Sequence, residues 1–270
     1  MSALGGLFIV KKIVYLGQNG FKISIGGSNL YFDLYLSNCV YELTGTGIRN
    51  YPPPLCGENI IDAAYYFISH EHLDHLDPET IEKVSKASPQ AKFVCPFPHI
   101  HMLKELNIAE ERIIGAKAYS KIVLPLESGK IEIIPIPEKH EEYNLIEGNH
   151  GTLGYVVKHD NMQFYYAGDA IADKELAEDL KNYGPMNIMF LPINGHDWRR
   201  FDSDIMGNMN YREALDLCRY VGTDLVIPMH YDLFENNTEN PAYFVDYLYR
   251  SCRGQKFKMF MPGETLYLEL

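Results

Sequence analysis

The sequence predicts a mixed α/β domain, and three observations carry that expectation. Short apolar runs of strand length alternate along the chain with segments of helical period. At 270 residues and 46% hydrophobic, the chain can bury a two-layer core, and no Pro/Ser-rich linker or break in composition divides it. A single domain over residues 1–270 is therefore expected. Third, aspartates and histidines directly follow several of the apolar runs, the position at which layered α/β folds display their chemistry.

Strands are expected at 12–16, 22–25, 29–33 and 63–68, with Gly26-Gly27-Ser28 supplying a hairpin turn. Ser37 to Asn59 interrupts this series and contains Asn50-Tyr51-Pro52-Pro53-Pro54, too proline-rich for either helix or strand. That stretch reads as a surface excursion or as a flap over a pocket. Asp77-Pro78 begins a helix through about Lys86, because aspartate caps free N–H groups and proline suits the first turn. Further helices are expected at 98–106, which takes in His99 and His101 at its start, and at 172–182, 210–220 and 241–251. Asn210 is a natural N-cap for the third of these. Strands near 92–95, 121–124, 131–136, 154–158, 163–167, 187–191, 224–228, 258–261 and 265–269 complete the pattern.

The segment Ile68-Ser69-His70-Glu71-His72-Leu73-Asp74-His75-Leu76-Asp77 follows the apolar run Ala63 to Ile68 and packs three histidines and two aspartates into eight positions. Neutral imidazole is the commonest metal nitrogen donor, so this density points to metal more than to a solvated turn. Alternation along the loop sends His70 and His72 toward one ion, and Asp74 and His75 toward a second. Four side chains on one loop cannot enclose two ions. Gln163 to Ala167, ending in Gly168-Asp169, and Leu225 to Met229, ending in His230, supply further candidates at the ends of strands. Taken singly, Asp169 is equally a helix N-cap and His230 a packed loop histidine. Taken with the first cluster, Asp169 is placed to bridge both ions and His230 to close the second site.

At these residues the chain resembles the metallo-β-lactamase superfamily, whose first metal motif is His-x-His-x-Asp-His. Within it, the strings SHEHLDHLDPET, FYYAGDAIAD and VIPMHYDLF resemble the L-ascorbate-6-phosphate lactonase group, as do Tyr15 to Phe21 and Leu30 to Asp33 of the first hairpin. The resemblance implies a four-layer αββα sandwich with metals at one edge. It implies a third ligand after a strand, which is His140 beyond Lys130 to Pro137, with His150 as the competitor. His140 is preferred because ligands gather at the carboxyl ends of strands, whereas His150 precedes one. Glu71 stands where many members have aspartate and is expected to point away from the metals.

Two divalent ions about 3.5 to 4 Å apart would bridge and activate a water, with Asp74 orienting it and relaying its proton. Imidazole and carboxylate ligands suit Mn²⁺, which the lactonase resemblance favours, or Zn²⁺, which the superfamily at large favours. Asn194-Gly195-His196-Asp197-Trp198-Arg199-Arg200 follows another apolar run, so His196, Trp198, Arg199 and Arg200 are candidate substrate contacts, as is Tyr231 beside His230. Arginine forks suit an anionic substrate, while His196 also competes as a ligand; the plain alternative is a solvated loop. Three functions follow: hydrolysis of a small, phosphorylated sugar lactone; a dinuclear phosphodiesterase acting on a nucleotide or phospholipid-type molecule; or a non-enzymatic metal sensor, which would have no chemical use for Asp74.

A net charge of −12 without a basic stripe argues against nucleic acid. Five cysteines without a CxxC pair suggest reduced thiols in a cytoplasmic protein, to which the glycosylation triplet Asn236-Asn237-Thr238 would be irrelevant. The apolar stretch Leu4 to Val10 is too short to span a membrane, and none is expected as a partner. The expected partners are a small anionic substrate and, for a homo-oligomer, further copies of the chain.

Overall fold

A computed structural model describes residues 11–140, 142–203 and 205–268; the stretch Leu4 to Val10 lies outside them. The strands are β1 (Lys11–Gly17), β2 (Gly20–Ile25), β3 (Ser28–Phe32), β4 (Ala63–Phe67), β5 (Lys92–Pro96), β6 (Ile113–Ala116), β7 (Ile122–Pro125), β8 (Lys130–Pro137), β9 (Leu145–Ile146), β10 (Asn149–His150), β11 (Leu153–His159), β12 (Met162–Tyr166), β13 (Met186–Pro192), β14 (Thr223–Met229), β15 (Lys256–Phe257) and β16 (Thr265–Leu268). The helices are α1 (Cys39–Thr44), α2 (Pro78–Ala87), α3 (Ile100–Glu105), α4 (Lys174–Tyr183), α5 (Trp198–Asp202), α6 (Tyr211–Val221) and α7 (Pro241–Ser251).

Two seven-stranded sheets, ordered β16-β1-β2-β3-β4-β5-β6 and β15-β14-β13-β12-β11-β8-β7, face each other. Aromatic rings bridge the gap between them: Phe21 to Phe190 at 4.8 Å between centroids, Phe67 to Tyr155 at 5.4 Å and Phe32 to Phe164 at 6.0 Å. All six rings are fully buried, and truncating one such ring to alanine typically costs about 3–5 kcal/mol. A second apolar layer packs Ile81 and Val84 of α2 and Leu103 of α3 onto Tyr66 and Phe93, on the outer face of the first sheet. Leu176 and Leu180 of α4, Leu215 of α6 and Phe244 of α7 pack with the second sheet. These are the four layers expected from the resemblance.

Strand direction puts the chemistry on one edge. β3 to β6 run parallel, as do β12 to β15, and β1 and β8 each point the same way as their parallel group because two antiparallel steps restore direction. The carboxyl ends of β1, β3, β4, β8, β12 and β14 therefore open onto a common rim. α2 starts beneath that rim. Asp77 accepts from the backbone N–H groups of Glu79 and Thr80 and, across the fold, from Ser37 N at 3.1 Å, so one buried carboxylate fastens both the helix and the 37–59 excursion.

Several details differ from the sequence expectation, among them helix α1 within the 37–59 excursion and the two-residue strands β9 and β10. β6 was not anticipated; it is four residues long and contains Gly115, which weakens any strand signal. The strand expected at 258–261 is β15 at Lys256–Phe257, because Lys258 N donates to Val226 O and the chain then turns, with Met261 N bonded to the Glu264 carboxylate. Finally, residues 198–202 form the short helix α5, started by Asp197 accepting from Arg199 N and Arg200 N. All five cysteines are free thiols, and no described helix is long and apolar enough to cross a membrane.

Candidate metal centre

His70, His72, Asp74 and His75 lie on the loop leaving β4, His140 three residues past β8, Asp169 three past β12 and His230 directly after β14. Their donor atoms form two groups. His70, His72, His140 and Asp169 each offer an atom within 4.8 Å of the others, and so do Asp74, His75 and His230. Asp169 also reaches the second group, with its oxygens 3.2 Å from His75 Nε2 and 3.2 Å from His230 Nε2. His140 Nε2 is 3.6 Å from the same carboxylate. His150 sits elsewhere, on β10, with its ring edge-on to Tyr143 at 5.2 Å.

The surroundings fit a metal. His70 Nδ1 meets Ser69 Oγ at 2.9 Å, His75 Nδ1 meets Asp33 Oδ2 at 2.8 Å, and His140 Nδ1 meets Gly207 O at 3.1 Å. Each contact occupies the outer ring nitrogen and turns Nε2 inward, the arrangement by which proteins orient ligating imidazoles. The inward Nε2 of His70 is buried and has no hydrogen-bond partner. Such an orphan is costly unless something else, such as a cation, takes the lone pair.

Backbone geometry is specialised here as well. Gly168 has φ +70, and a Cβ on it would come within 2.5 Å of Ser69 Cβ, so only glycine fits before Asp169. Gln18, Asp33 and His230 occupy the left-handed region at φ 54, 37 and 56. Non-glycine residues there carry strain that tends to collect at functional sites.

Four site residues were not singled out from the sequence. Asp33 is wholly buried and braces His75, Ser69 N and the Tyr166 hydroxyl; its only sequence signal is an acid ending an apolar strand. Gln18 and Asn19, in the β1–β2 turn, direct amide nitrogens at Asp74 Oδ2 and Asp169 Oδ1, each at 2.9 Å. Glu138 is buried against the Tyr165 hydroxyl, and burial pushes its carboxyl well above the usual range. Glu71 lines the cavity but turns its carboxylate to Asn144 Nδ2 at 2.8 Å and His99 Nε2 at 3.0 Å.

A cavity of about 420 Å³ lies over both groups, with His72, Asp74, His140, Asp169 and His230 in its lining. Its walls are largely apolar, from Val40, Leu73, Ile205, Met206 and Phe234. The 37–59 excursion forms one wall through Val40, Thr44, Thr46 and Gly47, pinned by Arg49 Nη1 donating to Tyr35 O and Ser37 O and by Tyr51 donating to Asp232 at 2.8 Å. A second cleft of about 410 Å³ reaches His70, His72 and His140 past Tyr143, Asn144 and Thr152. Among the described residues, no lysine or arginine lines either space.

The expected substrate contacts lie elsewhere. Gly195, at φ +82, turns the chain outward into α5. Trp198 is 72% exposed, His196 faces Glu213 at 3.2 Å, and Tyr231 is buried toward Phe260 O. Arg199 and Arg200 border a neighbouring depression, where Arg200 is held by Asp197, Asn237 and Thr238 O.

The family description Beta-lactamase superfamily domain matches residues 35–231, the span that contains every donor of both groups. The chain belongs to the beta-lactamase superfamily. This superfamily member is 26% identical over 260 residues to a UPF0173 metal-dependent hydrolase of Pyrococcus furiosus, covering 95% of this chain and 99% of the relative. It is also 26% identical over 231 residues to the N-acyl-phosphatidylethanolamine-hydrolyzing phospholipase D 1 of Caenorhabditis elegans, covering 83% of this chain and 64% of that protein. Its fold is similar to that of Igni18, a metallo hydrolase from Ignicoccus hospitalis, with a TM-score of 0.72 at 21% identity, covering 97% of this chain and 99% of Igni18.

Electrostatics in the metal-free centre set up a pH test. Burial acts to lower His230 and His75, but Asp169 and Asp74 outweigh it, raising His230 to about 9 and holding His75 well above its ordinary value. Burial prevails at His140, lowered to about 4. Burial also opposes charge on Asp74 and Asp169, yet the facing imidazoles, His75 first for Asp74 and His230 first for Asp169, hold both below the usual carboxylate range. A raised histidine stabilises the metal-free fold below its ordinary pKa of 6.5, and that contribution is lost as pH rises through about 9. A divalent ion needs the same lone pairs, so its binding should release protons and tighten across that window. Calorimetry in buffers of different ionisation enthalpy measures this; ion binding without proton release between pH 6.5 and 9 would contradict it.

His140→Ala is expected to weaken ion binding by about 10-fold or more, the least that losing a group at a metal site costs. His150→Ala should leave it unchanged. Ion titration of both variants decides, and the reverse ranking would place the third donor at His150.

Proposed function

We propose that this chain is a hydrolase that binds two divalent ions and cleaves a small ester or lactone. One observation carries the proposal: two donor groups share Asp169, whose carboxylate lies 3.2 Å from both His75 and His230 and 3.6 Å from His140. In this reading, His70, His72 and His140 hold one ion, Asp74, His75 and His230 the other, and Asp169 both. When bound, paired ions lower the pKa of water and polarise the oxygen of the bond to be cleaved. Asp74, which lines the cavity, orients the attacking water and accepts its proton. Asn19 Nδ2 fixes Asp169 against rotation. The apolar part of the wall, Val40, Leu73, Ile205, Met206 and Phe234, favours an uncharged part of the substrate.

Those walls bear on the substrate. A phosphorylated sugar would want guanidinium or ammonium partners, which the cavity does not provide among its described residues. The likeness to the ascorbate-6-phosphate lactonase group supports ring opening, so an unphosphorylated lactone or a short ester fits better. Phosphodiester cleavage is the second reading, favoured by the similarity to the phospholipase of C. elegans. A cytoplasmic setting is consistent with five free thiols.

Protein loaded with Mn²⁺ or Zn²⁺ should be given uncharged lactones, L-ascorbate 6-phosphate, short aryl esters and an aryl phosphodiester. Acid release from uncharged lactones or esters is the expected result. Cleavage of the phosphodiester alone would move the assignment to the second reading, and a fully metallated chain inert on all four would favour a sensor.

A further inference from the structure

The β1–β2 turn places a side chain inside the second donor group. Gln18 Nε2 is 2.9 Å from Asp74 Oδ2 and 2.9 Å from His230 Nε2, and it is as close to those atoms as they are to any other group. The residue is 1% exposed and held at φ 54, while its own carbonyl accepts from His230 N at 3.2 Å and from the Tyr15 hydroxyl at 3.1 Å. It therefore cannot swing out to solvent without dismantling the turn.

An amide N–H pointing at the Asp74 carboxylate is complementary to a centre without an ion. It opposes a dication drawn to the same carboxylate. A half-turn about the last side-chain bond exchanges Nε2 for Oε1 and leaves the backbone unmoved, because the two ends of the amide are nearly the same size. The carbonyl oxygen then faces the ion as a neutral, hard donor of the kind that suits Mn²⁺ better than thiolate-loving metals.

We propose that Gln18 is an additional ligand of the Asp74–His75–His230 group, presenting Oε1 to the ion and Nε2–H to the metal-free site. The inference rests on the two-ion reading above. It makes the halves unequal. The first group has three imidazoles and a shared carboxylate, whereas the second gains oxygen from Asp74, Asp169 and Gln18. The second group should then prefer the harder, higher-coordinate ion, and the first should prefer Zn²⁺.

The test compares wild type with Gln18→Leu, which keeps the volume but has no donor, and Gln18→Glu, which restores an oxygen. Each metal-free protein is titrated with Mn²⁺ by calorimetry, and bound metal is counted by elemental analysis, with spin resonance of bound Mn²⁺ reporting its surroundings. The expected result is that Gln18→Leu weakens one of two ions by about 10- to 100-fold, the range for disturbing a metal's close environment. The other ion should bind as in wild type, which also shows that the variant is folded. Gln18→Glu should keep both ions. The proposal is overturned if Gln18→Leu binds two ions with wild-type affinity, if it binds none, or if Leu and Glu weaken the second ion equally, since the last would leave only the N–H contacts to explain the loss. Wild type binding fewer than two Mn²⁺ would instead overturn the two-ion reading itself.

Discussion

Asp169→Ala is expected to release both ions and to reduce hydrolysis to the background rate, a loss on the order of 10⁶-fold or more, the usual lower bound of enzymatic acceleration. No other candidate ligand is shared, so none should have so large an effect. The carboxylate lies 3.2 Å from His75 and His230 and within 4.8 Å of the donors of the first group, and it is 3% exposed. Its loss also removes the principal charge that raises His230 and His75. Asp74 still faces both imidazoles and Asp33 still faces His75, so neither is left without a carboxylate partner. The fold should survive, because Asp33 still holds His75 and Gln18 O still holds His230 N. Metal content and kcat/KM measured on one sample decide the matter: a variant that keeps two ions would show that Asp169 bridges nothing.

The second large effect concerns the proton. Asp74→Asn is expected to lower kcat by about 10²- to 10⁴-fold at saturating metal, the range for removing a positioned acid–base group. Of the two acids among the candidate ligands, Asp74 has the more exposed side chain, 14% against 4% for Asp169, and it lines the cavity. Asparagine keeps one oxygen for the ion but cannot accept the proton of the attacking water. Because Asp74 also belongs to the second donor group, occupancy must be measured alongside rate. A fully metallated Asp74→Asn variant turning over at the wild-type rate would remove it from the chemistry.

Much of the fold was legible because each strand carries its own local signal. Runs such as Ala63 to Phe67 and Leu225 to Met229 are apolar enough to require burial, and Asp77-Pro78 and Asn210 mark helix starts by capping chemistry that acts within one turn. The short edge strand β6 and helix α5 were not legible, since four or five residues with a glycine or a lone cap carry too little periodicity. The loop from His70 to His75 was legible for the same local reason: donors one to five residues apart cannot avoid one another when a strand delivers them to one rim.

What belonged to the sequence alone, then, was the identity of residues that close an apolar run with a donor: His70, His72, Asp74, His75, Asp169 and His230. Their partners were a matter of tertiary structure. Sequence position preferred His140, which follows a strand, over His150, which precedes one; the direction of β8 toward the common rim puts the first ring 4.9 Å from His72 and leaves the other beside Tyr143. Arg199 and Arg200 look suited to an anion in sequence, yet they line a depression next to the cavity, sharing Thr46, Ile205 and Asn236 with it, and not the cavity itself. Gln18, Asn19 and Asp33 carry no metal-ligand spacing of their own, because their role is set by contacts with residues 36 to 212 positions away. Periodicity and capping act over a few neighbouring residues, so they can announce an element; which side chains meet depends on how two sheets stack, and that is settled only when the core between them is packed.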